Sequence, residues 1–166
     1  MLPAYLPNPA AALFGGGTPI DGGRRWSDGR RLLGDGKTWR GLVLGILSGV
    51  LLGLIQVSVQ DACVFVWLPR HTVLSVLLLA VGALAGDMVK SFVKRRIGKE
   101  RGAAWPLADQ YDLVAGSLLL LLIGDYGFAA VNLTIPVIFW ILVLTPLLHR
   151  AVNLIGYAIG VKDVPW

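Results

Sequence analysis

Charge is scarce in this chain: Asp, Glu, Lys and Arg make up 15% of its 166 residues, against roughly 25% in an average soluble domain. With 55% hydrophobic residues, a water-soluble fold of this length would leave more apolar surface exposed than its few charges could offset, so the bilayer is the expected solvent. Cysteine occurs once, at Cys63. That excludes an internal disulfide and any cysteine-based zinc cluster. A secretory signal is not expected either, because Met1 to Phe14 has neither a basic flank nor a clear small-residue cleavage site.

The few charges are unevenly placed, and the gaps between them read as spans. Gly41 to Gln60 is 20 residues without a charge, close to the ~20 needed to cross about 30 Å of hydrocarbon. His71 to Gly86 is a second uncharged run, continuing into a charged stretch that begins at Asp87. Leu113 to His149 holds a single charge, Asp125, and is too long for one crossing. It reads as two helices joined near Gly124 to Thr134. Residues 2 to 14 are apolar but few, with Pro3, Pro7 and Pro9 among them, and read as a short fifth crossing or as a half-buried segment. The expected fold is all-α, a polytopic membrane protein of about five transmembrane helices forming one domain over residues 1–166.

Twelve of the fifteen basic residues fall in two connecting segments, about 15–40 (loop one) and 88–112 (loop two). Alternating spans put both segments on one side, and the positive-inside rule makes that side the cytoplasm. The amino end then lies outside, and the carboxyl end with Lys162 inside. Basic loops of this kind commonly do no more than fix topology or bind acidic head groups. Here they also carry carboxylates and glycines in a specific order. Loop one contains nine glycines between Gly15 and Gly41, residues that let backbone N–H groups approach phosphate oxygens; a flexible connector would look the same.

Gly36-Lys37-Thr38 resembles the end of a Walker A loop, but the position of its first glycine is Arg31 and no strand precedes it, so a P-loop is rejected. Lys37 and Thr38 remain at the amino end of the firmest helix, where unpaired N–H groups and the positive dipole end attract an anion. In loop two, Asp87, Lys90, Ser91 and Lys94 stand at i, i+3, i+4 and i+7, one face of a helix leaving the membrane. Asp109 and Asp112 are three apart at the start of the next helix. A surface ion pair would account for Asp87 with Lys90, yet a carboxylate directly after Gly86 at the hydrocarbon boundary carries a desolvation cost that points to function.

These residues bring a family into view. Gly86-Asp87-x-x-Lys90-Ser91-x-x-Lys94-Arg95-x-x-Gly98-Lys99-Glu100, then Pro106 and Asp109-Gln110-Tyr111-Asp112, resembles the signature of the membrane phosphatidate cytidylyltransferases, the CDP-diacylglycerol synthases. Lys37-Thr38-Trp39-x-Gly41 resembles their upstream motif. The bacterial pattern has a longer insert after the proline and an Arg and a Ser around its paired aspartates; here those positions are Gln110 and Leu113. The compact length, Leu107-Ala108-Asp109-Gln110 and the ending Lys162-Asp163-Val164-Pro165-Trp166 are more similar to the archaeal relatives, the CDP-archaeol synthases.

The resemblance implies a Mg²⁺-dependent transfer of CMP from CTP to an isoprenoid ether lipid phosphate, 2,3-bis-O-geranylgeranylglycerol 1-phosphate, with release of pyrophosphate, in a multi-pass protein of the cell membrane. It implies Asp87, Asp109 and Asp112 as metal ligands and, with Lys94, as the catalytic set. Asp21, Lys37, Thr38, Lys90, Ser91 and Arg95 would serve nucleotide and phosphate, Asp21 by helping to hold loop one near the metal. Membrane lipids are expected partners and nucleic acid is not. A synthase acting on ester lipids is the nearest alternative. A small transporter is the more distant one, since Gln56, Ser58 and Asn132 form no charged path through the spans. An enzyme that consumes a CDP-lipid would need a DGxxAR run, which Asp28-Gly29-Arg30-Arg31-Leu32-Leu33 does not supply. His71 and His149 are expected at helix ends or interfaces, and Trp26, Trp39, Trp105 and Trp166 as interfacial anchors, one of which could stack on cytosine. Asn8 could face the substrate groove or serve only helix entry.

Overall fold

A computed structural model describes residues 1–62, 69–100, 102–161 and 164–165, with the side chain of Asp61 left aside. Cys63, Arg101, Lys162, Asp163 and Trp166, and with them the expected roles of Lys162 and Trp166, lie outside the described residues. Four helices are long and apolar enough to cross a membrane: α3 (Trp39–Ala62), α4 (Val73–Arg96), α5 (Pro106–Gly124) and α7 (Ile135–Ala158). The expected junction near Gly124 to Thr134 contains a seven-residue helix, α6 (Tyr126–Asn132), opened by Asp125, whose side chain accepts from the Phe128 amide at 3.1 Å.

Residues 2–14 form two short helices, α1 (Leu2–Tyr5) and α2 (Pro7–Phe14). Pro7 has no N–H to continue the first helix but suits the first turn of the second. Together they lie antiparallel to α3 in a groove lined by glycine. Gly41, Gly45, Gly49 and Gly53 stand four residues apart, and a Cβ added to them would meet Ala11 O at 3.0 Å, Pro7 O at 2.8 Å, Pro3 O at 2.6 Å and the Pro3 ring at 3.1 Å in turn. At about 1.5 Å per residue the pair covers roughly 20 Å of depth. Neither helix reaches the length of a span. Met1 lies within electrostatic reach of His71, at the end of the bundle opposite loop one.

Loop two is shorter than its charges suggest, because α4 continues to Arg96 and α5 begins at Pro106. Lys94, Arg95 and Arg96 occupy the last turn of α4, where cations complement the dipole and exposed carbonyls. At its other end α4 opens on a capping box: Thr72 Oγ1 accepts from Ser75 N and Ser75 Oγ accepts from Thr72 N, each at 3.0 Å.

Between α4 and α5 there is almost no side-chain spacing. A Cβ on Gly86 would fall on the Asp112 carbonyl oxygen, one on Gly116 on the Gly82 carbonyl oxygen, and one on Gly82 would sit 2.6 Å from Ser117 Cα. Lipid tails are as apolar as leucine, so helices associate in a bilayer by such close approach and by hydrogen bonds between helices. Ser117, fully buried, donates to Leu79 O at 2.9 Å across this seam, a bond worth about 0.6 kcal/mol on average in membranes. The seam fixes Asp87 and Asp112 side by side.

Candidate active site

Three elements bring charged side chains to one point at the loop-one end of the bundle. Loop one is folded on Asp21, which is buried inside it. Asp21 is paired with Arg31 at 2.7 Å and accepts from the amides of Gly23, Leu33 and Gly34 at 3.1, 3.0 and 2.9 Å. The Arg31 guanidinium, helped by these N–H donors, holds the Asp21 carboxyl well below the usual carboxylate range despite its burial. Asp21 is thus an internal hub of the loop and borders neither cavity described below.

The folded loop is clasped to the carboxyl end of α4. Arg30 donates to Arg96 O at 2.7 Å, while Arg96 donates to Asp28 Oδ1 at 2.8 Å and to Arg31 O at 2.5 Å. Gly98, at φ +77°, turns the chain after α4, and a Cβ there would press on the Arg30 guanidinium at 3.2 Å. Both loops therefore stand at the same end of the bundle.

The clasp sets Lys37 against Asp87, with Lys37 Nζ donating to Asp87 Oδ2. Lys90 occupies the centre: its Nζ lies 3.1 Å from Asp87, 3.3 Å from Asp109 and 2.6 Å from Asp112. Lys94 pairs with Asp109 at 2.6 Å and donates to Ala103 O at 2.8 Å. Asp109 is positioned by the Trp105 amide at 2.7 Å, and Asp112 by the Leu113 amide at 2.5 Å. Two unit charges about 3 Å apart attract by roughly 5 kcal/mol at an effective dielectric of 20, and desolvation of several kcal/mol per ion offsets most of that. Stability alone does not explain three carboxylates and three lysines gathered in a membrane protein.

The cluster stands where two cavities meet. The smaller, about 100 Å³, lies between loop one, α2, α3 and α4 and is bordered by Gly36, Lys37, Thr38, Gly41 and Asp87. The larger, about 200 Å³, runs between α2 and α7 and is bordered by Lys37, Asp87, Lys90, Asp109 and Asp112 at one side and by Thr145, His149 and Asn153 at the other. Asn8, Ala12, Lys37 and Asp87 border both.

Of the residues singled out in the sequence, Lys37, Asp87, Lys90, Lys94, Asp109 and Asp112 are brought together. Thr38 borders the smaller cavity, but its Oγ1 accepts from Gly41 N at 3.1 Å and so caps α3. Ser91 is buried one turn after Asp87. Arg95 turns away, donating to Lys99 O at 2.7 Å, and borders neither cavity. Asn8 does face the groove. Trp26 packs edge-on against Phe92 and is half exposed. Sequence reasoning missed the α7 wall. Its signal was the spacing of Thr145, His149 and Asn153, four residues apart on a helix whose one charged residue is Arg150.

The donor set bears on the expected metal. Among the described residues no three acidic, histidine or cysteine side chains stand ready around a vacant point; the three carboxylates close on the Lys90 ammonium. They are nonetheless hard oxygen donors converging on a cation, the chemistry that suits Mg²⁺. That ion commonly takes one or two carboxylates and completes its shell with water and substrate phosphates.

Residues 1–166 match the family described as CarS-like CDP-archaeol synthase. The chain is 63% identical to the CDP-archaeol synthase of Methanoculleus marisnigri and 60% identical to that of Methanoregula boonei, each over 100% of both chains. It is also similar to a solved structure of an intramembrane enzyme for archaeal membrane lipid biosynthesis, with a TM-score of 0.65 and 34% identity over 98% of this chain and 90% of that one. The helical membrane fold, the clustered aspartates and lysines and the full-length similarity converge: the chain belongs to the CarS-like CDP-archaeol synthase family, and is a nucleotidyltransferase of the membrane.

Proposed function

We propose that this protein transfers CMP from CTP to the phosphate of an unsaturated isoprenoid ether lipid, 2,3-bis-O-geranylgeranylglycerol 1-phosphate, releasing pyrophosphate at the cytoplasmic face. The observation that carries this reading is the meeting of the two cavities at Asp87 and Lys37: a smaller one at the amino end of α3, and a larger one that runs along the lipid-exposed helix α7.

An oxygen of the lipid phosphate attacks the α-phosphorus of CTP; a P–O bond forms there as the bond from that phosphorus to the β-phosphate bridge breaks. A phosphomonoester is largely dianionic near neutral pH, its second pKa being about 6. No general base is needed. The task is to bring two anions together and to hold the leaving pyrophosphate. Lys37 and the first turn of α3 receive the triphosphate, with loop one held in place by its clasp to α4. Lys90 offsets the charge of the two reacting phosphates and is oriented by Asp87, Asp109 and Asp112, while Lys94, which borders neither cavity, holds Asp109 in place. The same carboxylates would hold Mg²⁺, which supplies charge neutralisation and Lewis-acid polarisation of the phosphoryl oxygens.

The test is direct. Purified protein is given α-labelled CTP, Mg²⁺ and the ether lipid phosphate, with UTP, ATP and an ester phosphatidic acid as comparison substrates. Label should enter the lipid with CTP, and pyrophosphate should appear in equal amount. Absence of lipid labelling with every lipid phosphate overturns the reading. Cysteines placed in loop one and after α4 should both react only from the cytoplasmic side; labelling from outside would invert the orientation.

A further inference from the structure

The second half of α7 forms one wall of the larger cavity, and hydroxyl groups of α1 and α5 reach this helix. Pro146 lies inside this helix. It has no N–H, so the carbonyl four residues earlier, that of Leu142, loses its partner in the helical ladder. That carbonyl accepts from another helix: Tyr111 Oη of α5 donates to Leu142 O at 2.8 Å. One turn away on the same side of the break, Tyr5 Oη and Thr145 Oγ1 are 2.7 Å apart, and Thr145, fully buried, donates to Ile141 O at 2.5 Å. Beyond Pro146 the helix presents Leu148, His149, Val152 and Asn153 to the cavity.

Tyr111 stands between Asp109 and Asp112 in sequence. One turn of α5 thus carries two of the clustered carboxylates and the hydroxyl that anchors the opposite wall. We infer that Tyr111 is a positioning residue: its bond to the carbonyl freed by Pro146 sets the distance between α7 and the acidic cluster, and so the fit of the lipid phosphate in the larger cavity. The inference rests on the proposed function for the identity of that substrate. The tether itself does not depend on it. Tyr111 need not touch a substrate, and the triphosphate side, built on loop one and α3, is not under its control.

Two kinds of measurement decide this. Spin labels at Leu13→Cys in α2 and Leu154→Cys in α7, both exposed and outside the cavity, report the separation of its walls in a Cys63→Ser background. Tyr111→Phe should broaden that distance distribution. In turnover, Tyr111→Phe should raise KM for the lipid phosphate by about five-fold while kcat and KM for CTP stay within about two-fold. An unchanged distribution, or a defect confined to CTP, overturns the inference. If the wild-type protein transfers no CMP, the functional reading falls while the distance measurement still decides the tether.

Discussion

Lys37 in loop one is ion-paired with Asp87 in α4, fifty residues further along the chain. The pair joins the two basic segments at the border shared by both cavities. Replacing Lys37 with alanine should damage the use of CTP far more than that of lipid phosphate. By analogy with oxyanion donors, worth about 3 kcal/mol, the loss is on the order of a hundredfold in kcat/KM. Titration of CTP at saturating lipid, and then of lipid at saturating CTP, assigns the defect. An unchanged CTP dependence would remove the nucleotide from loop one.

Asp87→Asn, Asp109→Asn and Asp112→Asn should each reduce turnover by at least about a hundredfold, because each removes a charge that orients Lys90 and would ligate the metal. Arg95→Ala, whose side chain faces away from both cavities, should cost far less. Initial rates across a Mg²⁺ titration check this, and near wild-type rates in all three Asn variants would sink the proposed role of the cluster.

Gly86→Ala places a methyl on the Asp112 carbonyl oxygen, so α4 and α5 must move apart. Overpacking of this kind costs typically about 1–3 kcal/mol. A lower Tm in detergent and a large loss of activity are expected. Gly127→Ala, where the nearest atom is Asp125 Oδ1 at 3.9 Å, is the matched control and should change neither.

Asp21 gives loop one a defined response to acid. Its carboxyl is held below the unfolded value of about 3.9 by Arg31 and three amides. A depressed folded pKa contributes stability that is present above the unfolded value and lost as pH falls toward the folded one. Hydrogen exchange at the Leu33 and Gly34 amides, corrected for intrinsic rates, should show constant protection above about pH 4 and a decline below it. In Asp21→Asn the protection should be weaker and flat across the same range; an identical acid dependence would exclude Asp21 as its source.

What the sequence made visible follows from what one-dimensional spacing encodes. The runs free of charge identified the long helices, since a hydrocarbon layer tolerates few alternatives, and the i, i+3 and i+4 spacing placed Asp87, Lys90 and Lys94 on one face. Lys90 at the centre of three carboxylates was not legible, because it depends on how closely α4 approaches α5. Asp21 looked like a phosphate-side residue because an acidic group in a glycine-rich loop carries no sign of being turned inward. The α7 stripe was overlooked for a related reason: threonine, histidine and asparagine are individually weak signals, and only the cavity across from Asp109 and Asp112 gives them a common direction.

The glycine groove of α3 has a consequence for how the chain is made. Residues 2–14 leave the ribosome before the groove that receives them exists, and neither α1 nor α2 is long enough to hold a place in the bilayer alone. Their insertion therefore follows that of α3, and its direction is decided by a helix translated later.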